Sequence, residues 1–420
     1  MHPLLQVGRV LSVLARGSVA PLRWTASKIT GAIWWLRQLR LDVWVADGQE
    51  CSSGQPLSIL CAVTEDQQNY PLKLIFGDSY RRRYLGRCWL WNVARLLPAA
   101  APDCAMILAE TFESHLNVAH TKDWFFIPTW VTGEVTLPRD AEATRKVDDV
   151  LRRIRRHGLR CEFTRDPEKY DDFYHNMYVP YISKTFGDCA TIASHESIRK
   201  HFQVSDLLLI KNDEGSIAGQ LIMHEDTGSA LGVVGIRDGN RDYVKAGAGG
   251  ALYHFGLQYL QDKGEKKVWL GWTRPFLRDG VLRFKKKWSQ RLVHGTFNGF
   301  LLKILADTPV TRAFLCNNPF IFKREGRLFG AVFTDSDTPP STEDIEKIDT
   351  DYFHPGMARV VVYQLRSRQP SDSVCAPASE HIELCRASDC SALNSVGVPK
   401  SLLHAKYRGS ETFPNSQKSV

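Results

Sequence analysis

Between Asp206 and Asp238 the chain reads "DLLLIKNDEGSIAGQLIMHEDTGSALGVVGIRD", three short apolar runs split by two polar breaks. The breaks, Asp213-Glu214-Gly215 and Asp226-Thr227-Gly228, are residues that favour tight turns, so the pattern predicts a three-stranded antiparallel meander. The period then changes. After a polar loop (Gly239 to Lys245), "GGALYHFGLQYLQDKG" has helical spacing, with Leu252, Phe255, Gly256 and Tyr259 on one face and His254, Gln258, Gln261 and Asp262 on the other. Gly264 is a suitable stop. Next come a strand in "KKVWLG", a helix in "FLRDGVLRFKKKW", and a strand with a further helix in "RLVHGTFNGFLLKIL".

Upstream, "PLSILCAV" and "LKLIFG" read as strands, and "RCWLWNVARLLPAAAPDCAMILAE" contains at least one more. "RDAEATRKVDDVLRRIRRHGLRCEF" reads as a charged helix entering a strand, with Leu151, Ile154 and Leu159 as a thin apolar stripe. Its Arg152, Arg153, Arg155 and Arg156 form a solvated face or a binding patch. These patterns divide the chain into an arm (1–40), an N-terminal α/β region (41–138), a chemistry-bearing region (139–333), an acidic linker with one strand (334–366), and a tail expected to be disordered (367–420).

Composition changes this picture little. The 420 residues are 43% apolar and 24% charged, which suits a globular chain with a sizeable core. Charge matters through its distribution: the net +8 is concentrated in the arm, where Arg9, Arg16, Arg23, Lys28, Arg37 and Arg40 all precede the first acid, Asp42. Arginines interrupt every apolar run of the arm, short of the roughly 20 residues a spanning helix needs. A basic, tryptophan-bearing arm suits an anionic membrane surface, a transit peptide, or a terminus docked on the body. The ten cysteines contain no C-x-x-C pair and no zinc spacing. They are expected to be reduced thiols of a cytoplasmic protein with no bound metal.

The glycine cluster carries the first chemistry. Gly247, Ala248, Gly249 and Gly250 let the backbone approach a ligand at the start of a helix, where unpaired N–H groups favour an anion such as phosphate. It lacks the Gly-Lys-Ser/Thr ending of a nucleotide-hydrolysing loop. It also places Leu252 where a dinucleotide fingerprint needs its third glycine. A loop whose glycines only permit a tight strand-to-helix turn is the plain alternative.

From about Tyr170 to Val293 the chain resembles the GNAT acyltransferase superfamily. Within it the resemblance is to the branch of FemAB-type transferases and of CelD-type acetyltransferases linked to exopolysaccharide synthesis. The marks are "GGALYHFGLQYLQDKG", "VWLGWTRPFLRDGVLRFKKKW" and "DFYHNMYVPYISKTFGD". The branch pattern falls on Gly271, Thr273, Phe276, Asp279, Phe284-Lys285 and Trp288, with Ser289 in place of the usual glycine. The resemblance implies an α+β fold: a GNAT-like mixed, mainly antiparallel sheet flanked by helices, with room for two related halves. It also implies acyl-CoA or acetyl-CoA as co-substrate, its pyrophosphate held by the glycine loop and its acyl carbonyl by the strand carrying Val233, Val234 and Gly235.

Two catalytic candidates follow. Glu225, ending its strand beside His224, is either a general base or a turn-flanking carboxylate. Tyr253 either protonates a leaving thiolate or is a core aromatic. Substrate-binding candidates are Trp272, Asp279, Lys285 and Trp288, with Arg283 and Lys287 as a cationic edge. The expected reaction is acyl transfer to an amine of a sugar, amino acid or cell-envelope or exopolysaccharide precursor, in the cytoplasm or peripherally on the membrane. An aminoacyl-tRNA donor is the alternative, the arginines then holding RNA phosphates. A third is a non-catalytic platform at the membrane surface. The family loop has Gln or Arg three residues before its glycine, and here Val244 or Ala246 stands there.

Overall fold

The structure, a computed structural model, describes residues 39–63, 70–93, 102–116, 124–187, 190, 192–225, 228–366 and 376–393. The arm therefore lies outside the described residues except for Leu39 and Arg40, as does the Asp226-Thr227 turn. The chain begins with β1 (Arg40–Gln49), β2 (Pro56–Val63), α1 (Tyr70–Phe76), β3 (Tyr80–Trp89), β4 (Met106–Phe112) and β5 (Phe125–Pro128). β6 (Val131–Thr136), α2 (Ala141–Arg145), α3 (Asp148–Arg156) and β7 (Arg160–Thr164) follow. A long helical stretch comes next: α4 (Pro167–Asp172), a π-helical segment (Phe173–Tyr178) and α5 (Val179–Phe186), then α6 (His195–Phe202).

The central region contains β8 (Ser205–Asn212), β9 (Gly215–Glu225), β10 (Gly228–Ile236), α7 (Arg241–Lys245), α8 (Ala248–Asp262), β11 (Lys267–Thr273), α9 (Gly280–Lys287) and β12 (Arg291–Gly295). It is followed by β13 (Asn298–Ile304), α10 (Pro309–Asn317), β14 (Phe320–Arg324), β15 (Arg327–Thr334), α11 (Thr342–Tyr352), β16 (Val360–Gln364), β17 (Ala376–Pro377) and β18 (Ile382–Arg386).

Two sheets organise these elements. One has seven strands in the order β12-β6-β11-β10-β9-β8-β7, and the other has eleven in the order β17-β18-β16-β15-β14-β5-β13-β4-β2-β1-β3. Pairing is mostly antiparallel, with parallel pairs at β10–β11, β2–β4, β15–β16 and β16–β18. The fold is mixed α+β, and the meander β8-β9-β10 is formed as its turn residues predict. α8 packs on that meander through Ala251, Leu252, Gly256, Leu257 and Leu260, while Gln258, Gln261 and Asp262 face solvent. Each such leucine removed from water contributes about 1.5–3 kcal/mol.

Several expectations need correction. "LKLIFG" is not a strand but most of α1. Leu72, Ile75 and Phe76 are buried at helical spacing, and Gly77, at φ 63°, follows the helix. "GFLLKIL" is not a helix but β13, paired on both sides by β4 and β5. Its apolar run, broken only by the buried Lys303, suits a strand buried on both faces. The borders at 138 and 333 also fail. β6 joins the seven-stranded sheet ahead of the first border, and β13 to β15 cross into the larger sheet beside β4 and β5. The tail expected to be disordered supplies β17 and β18, with Ile382 fully buried. Cys385 is disulfide-bonded, so the expectation of ten free thiols does not hold.

Candidate functional site

The seven-stranded sheet opens at one place. β10 and β11 pair in parallel only at Ser229–Val268 and Ala230–Trp269, and beyond these the strands part. Both are irregular there: β10 shifts register against β9 between Leu231 and Val234, and β11 shifts against β6 between Trp269 and Trp272. Backbone groups of a parted strand lose their ladder partners and become available to a ligand. Gly232, Val233 and Val234 lie along this gap and are half-buried.

Lys285 sits behind the gap on α9. It is 3% exposed, and its ammonium donates to the carbonyls of Gly271 at 3.0 Å and Trp272 at 3.1 Å. Gly271, at φ 67°, turns its carbonyl so that the Thr132 hydroxyl also donates to it, at 3.1 Å. Burial pushes the Lys285 ammonium down to about 7, with the charge of Asp279 opposing. Lys285 therefore holds the backbone of β11 rather than lining an open pocket. Beside it Trp272 is 51% exposed, its ring 5.6 Å from that of His294.

The glycine loop lies at the same end of β10. Gly247 is the N-cap of α8 in the left-handed region (φ 100°), with no side-chain cap bond. The cluster's residues have different local reasons. A Cβ on Gly250 would stand 2.5 Å from Val150 Cγ1, so this glycine lets α3 approach α8, and Ala248 is fully buried. Gly249 alone among the three glycines has nothing within 4 Å of a would-be Cβ. Arg153 of α3 packs its aliphatic stem on Gly247 and pairs with Asp149 at 3.7 Å. A cavity of about 520 Å³ lined by Lys184, Asp238, Gly239, Asn240 and Arg241 lies just beyond β10. Lys184 donates to the Asp238 carbonyl at 2.7 Å and Lys245 pairs with Asp242 at 3.1 Å, so orphan helix amides, the open glycine, and Arg153 and Arg241 are what suit a phosphate-bearing ligand.

Other expected site residues lie elsewhere. Glu225 pairs with Gly228 at the far end of β10, roughly 20 Å along the strand from Val234 at ~3.3 Å per residue. That distance removes it as a base at the gap. Gly235 is buried, and a Cβ there would meet the Tyr178 amide nitrogen at 2.5 Å, so it serves close packing of the π-helical segment. Tyr253 is a core aromatic edge-on to Phe284 at 5.0 Å, and burial, helped by Tyr181, raises its phenol above the usual range. Trp288 is fully buried, with the Arg139 guanidinium 5.0 Å over its ring. Asp279 is the N-cap of α9, accepting from the amides of Val281 and Leu282 at 2.9 and 3.0 Å. Arg283 and Lys287 line a separate groove, with Lys146 and Lys286, against Asp351 of α11.

Gln220 was not anticipated. It is fully buried opposite Val234, its Nε2 reaches the Gly232 carbonyl at 3.5 Å, and its Oε1 has no partner among the described residues. Its signal in the sequence is one polar residue inside the apolar run "IAGQLIM".

A second polar cluster occupies the other end of α8. His224 bridges Ser229 (Nδ1 to Oγ, 3.0 Å) and Asp206 (Nε2 to Oδ2, 2.8 Å), the residue types of a Ser-His-Asp triad with the two ring nitrogens exchanged. Ser229 is nevertheless 1% exposed and its hydroxyl donates to Glu265 at 2.6 Å, so it presents no nucleophile. Asp206 also accepts from Arg165, Tyr259 and Lys263. Burial raises its carboxyl, but the hydrogen bonds from Tyr259, Arg165, His224 and Lys263 together hold it well below the usual carboxylate range.

The meander and the glycine-led helix follow one another as the GNAT resemblance implies. No family model matches the chain, and no curated protein matches it. Solved structures similar to it include L-PGS from Bacillus licheniformis (12% identity, 64% of this chain and 83% of that one, TM-score 0.32). FemX is another (11% identity, 62% and 84%, TM-score 0.33). A third is a GCN5-related N-acetyltransferase from Sphaerobacter thermophilus (15% identity, 62% and 75%, TM-score 0.30). At such scores the likeness carries no weight for the chemistry of the site. Among the described residues, no helix is long and apolar enough to cross a membrane.

Proposed function

We propose that the protein is a GNAT-type N-acyltransferase, taking an acyl group from acyl-CoA to an amine of a sugar, amino acid or cell-envelope or exopolysaccharide precursor. The observation that carries this is the parting of β10 from β11 directly beside the open, glycine-led start of α8. In this reading a thioester supplies an acyl carbon activated toward amines. The amides of Ala248, Gly249 and Gly250 face its pyrophosphate, and Arg153 and Arg241 add cationic surroundings. The Gly232–Val234 backbone faces a carbonyl oxygen that takes on charge. Lys285, through the carbonyls of Gly271 and Trp272, fixes the opposite wall. Trp272, exposed at that wall, packs against the acceptor. An aminoacyl-tRNA donor is favoured instead by the arginines of α3 next to the loop, where Arg152 and Arg156 are exposed beside Arg153.

Calorimetric titration of coenzyme A and acetyl-CoA into the full chain tests this. Gly249→Asp adds an anion where space is open, so it should weaken binding by about tenfold or more while leaving the unfolding midpoint in place. Equal affinity in the variant would remove the loop from the site. Failure of both ligands to bind wild type would sink the acyl-CoA donor. Binding of tRNA that falls steeply with salt would then support the other one.

A further inference from the structure

In the other sheet, β3 is the last strand, and among the described residues its outer edge has no neighbouring strand. Its sequence is YRRRYLGRCW, and Arg81, Arg82, Arg83, Tyr84, Arg87 and Trp89 are all exposed. Five aromatic side chains are markedly exposed among the described residues, and Tyr84, Trp89 and Trp91 are three of them, within eight positions. Charges on an edge strand guard against unwanted strand pairing, but that purpose needs no tryptophans.

The chemistry of the edge distinguishes between anionic partners. Trp89 and Trp91 stack on each other, with centroids 4.8 Å apart and planes within 8°. Arg82 lies 4.7 Å over the ring of Trp44, which also meets Tyr84 at 4.7 Å. Nucleic-acid bases need free ring faces on which to stack, and here several faces are already covered. Paired indoles at one end of a strand whose other end carries arginines suit the headgroup level of a bilayer, which takes aromatic bulk and cationic charge together. The position of Leu39 is the second observation. The Leu90 amide donates to the Leu39 carbonyl at 2.8 Å, so Leu39, which residues 1–38 precede in the sequence, lies beside the Trp89–Trp91 segment. Residues 1–38 carry Arg9, Arg16, Arg23, Lys28 and Arg37 with Trp24, Trp34 and Trp35, and no acid.

We infer that the free β3 edge is a docking surface for an anionic phospholipid bilayer, together with the basic segment that precedes Leu39 in the sequence. The inference is independent of the transferase reading. Arg81 and Arg83 supply charge, Trp89 and Trp91 enter the headgroup layer, and the Arg87–Asp42 pair (2.7 Å) with the Tyr84–Asp42 bond (2.8 Å) holds the ribbon rigid.

The test is co-sedimentation of the full chain with vesicles of phosphatidylcholine alone or mixed three to one with phosphatidylglycerol. Binding is expected only to the anionic vesicles and is expected to weaken with salt. Trp89→Ala/Trp91→Ala and Arg81→Gln/Arg83→Gln should each reduce partitioning by about tenfold or more. Unfolding midpoints equal to wild type, and binding largely retained in Trp89→Phe/Trp91→Phe, separate a lost surface from a lost fold. Unchanged partitioning in both pairs would overturn the inference, including the case where deleting residues 1–38 alone abolishes binding. Equal binding to neutral vesicles, or displacement of the vesicles by an RNA oligonucleotide, would also overturn it.

Discussion

The two ends of α8 rest on the same strands and differ in one physical respect. At the C-terminal end, Asp206, His224, Ser229, Tyr259, Lys263 and Glu265 form a hydrogen-bonded circuit. At the N-terminal end the cap makes no side-chain bond, Gly249 faces open space, and Gln220 Oε1 is unpaired among the described residues. The first end is richer in residues of catalytic type, and the second is the better candidate site. Polar groups that satisfy one another have little capacity left for a ligand, whereas unsatisfied donors beside an opening retain it. Residue type alone would have ranked the ends the wrong way.

The sharpest way to break the comparison is Asp206→Asn. The carboxylate is nearly buried beneath four donors, and its loss leaves them short of charge, so unfolding stability should fall by about 3 kcal/mol. Coenzyme A titration should stay within a factor of about two of wild type. A stable variant with lost ligand binding would make the circuit functional and reverse the assignment of the two ends. Gly250→Leu is expected to be milder. Its side chain would run into Val150, costing about 1–3 kcal/mol and displacing α3 from the glycine loop. Val150→Ala in the same chain should recover part of that loss in a denaturant unfolding curve.

These variants also show what was legible beforehand. The meander could be read because turn residues punctuate alternating runs, and α8 because glycines bracket a helical stripe. Glu225 was misplaced because strand register fixes which end of a ladder a residue occupies, and register depends on partners distant in the chain. Asp279 and Trp288 match a family pattern yet cap a helix and fill a core, so the pattern there records packing. The border at 138 failed because β6 pairs with β11 and β12, and that at 333 because β13 lies between β4 and β5, long-range pairings that local periodicity cannot express. Lys285 was singled out, but its partners are two carbonyls of β11, and carbonyls leave no mark in a sequence.

Lys285 gives the most specific effect. Its folded value is pushed down to about 7 by burial, against about 10.4 for a lysine in an unfolded chain. Between these values the unfolded chain binds the extra proton, so stability should rise as pH increases through this window. The slope is at most about 1.4 kcal/mol per pH unit. Below pH 7 both states are protonated, and the cost of burying the charge is fully present. The neutral amine still has two N–H donors for the two carbonyls, Gly271 and Trp272, so deprotonation need not release β11. Lys285→Met removes both the charge and the donors, and it should flatten the rise in stability seen by chemical denaturation between pH 7 and 9. A variant whose profile keeps the wild-type slope would show that Lys285 is charged throughout, and that its hydrogen bonds outweigh its burial.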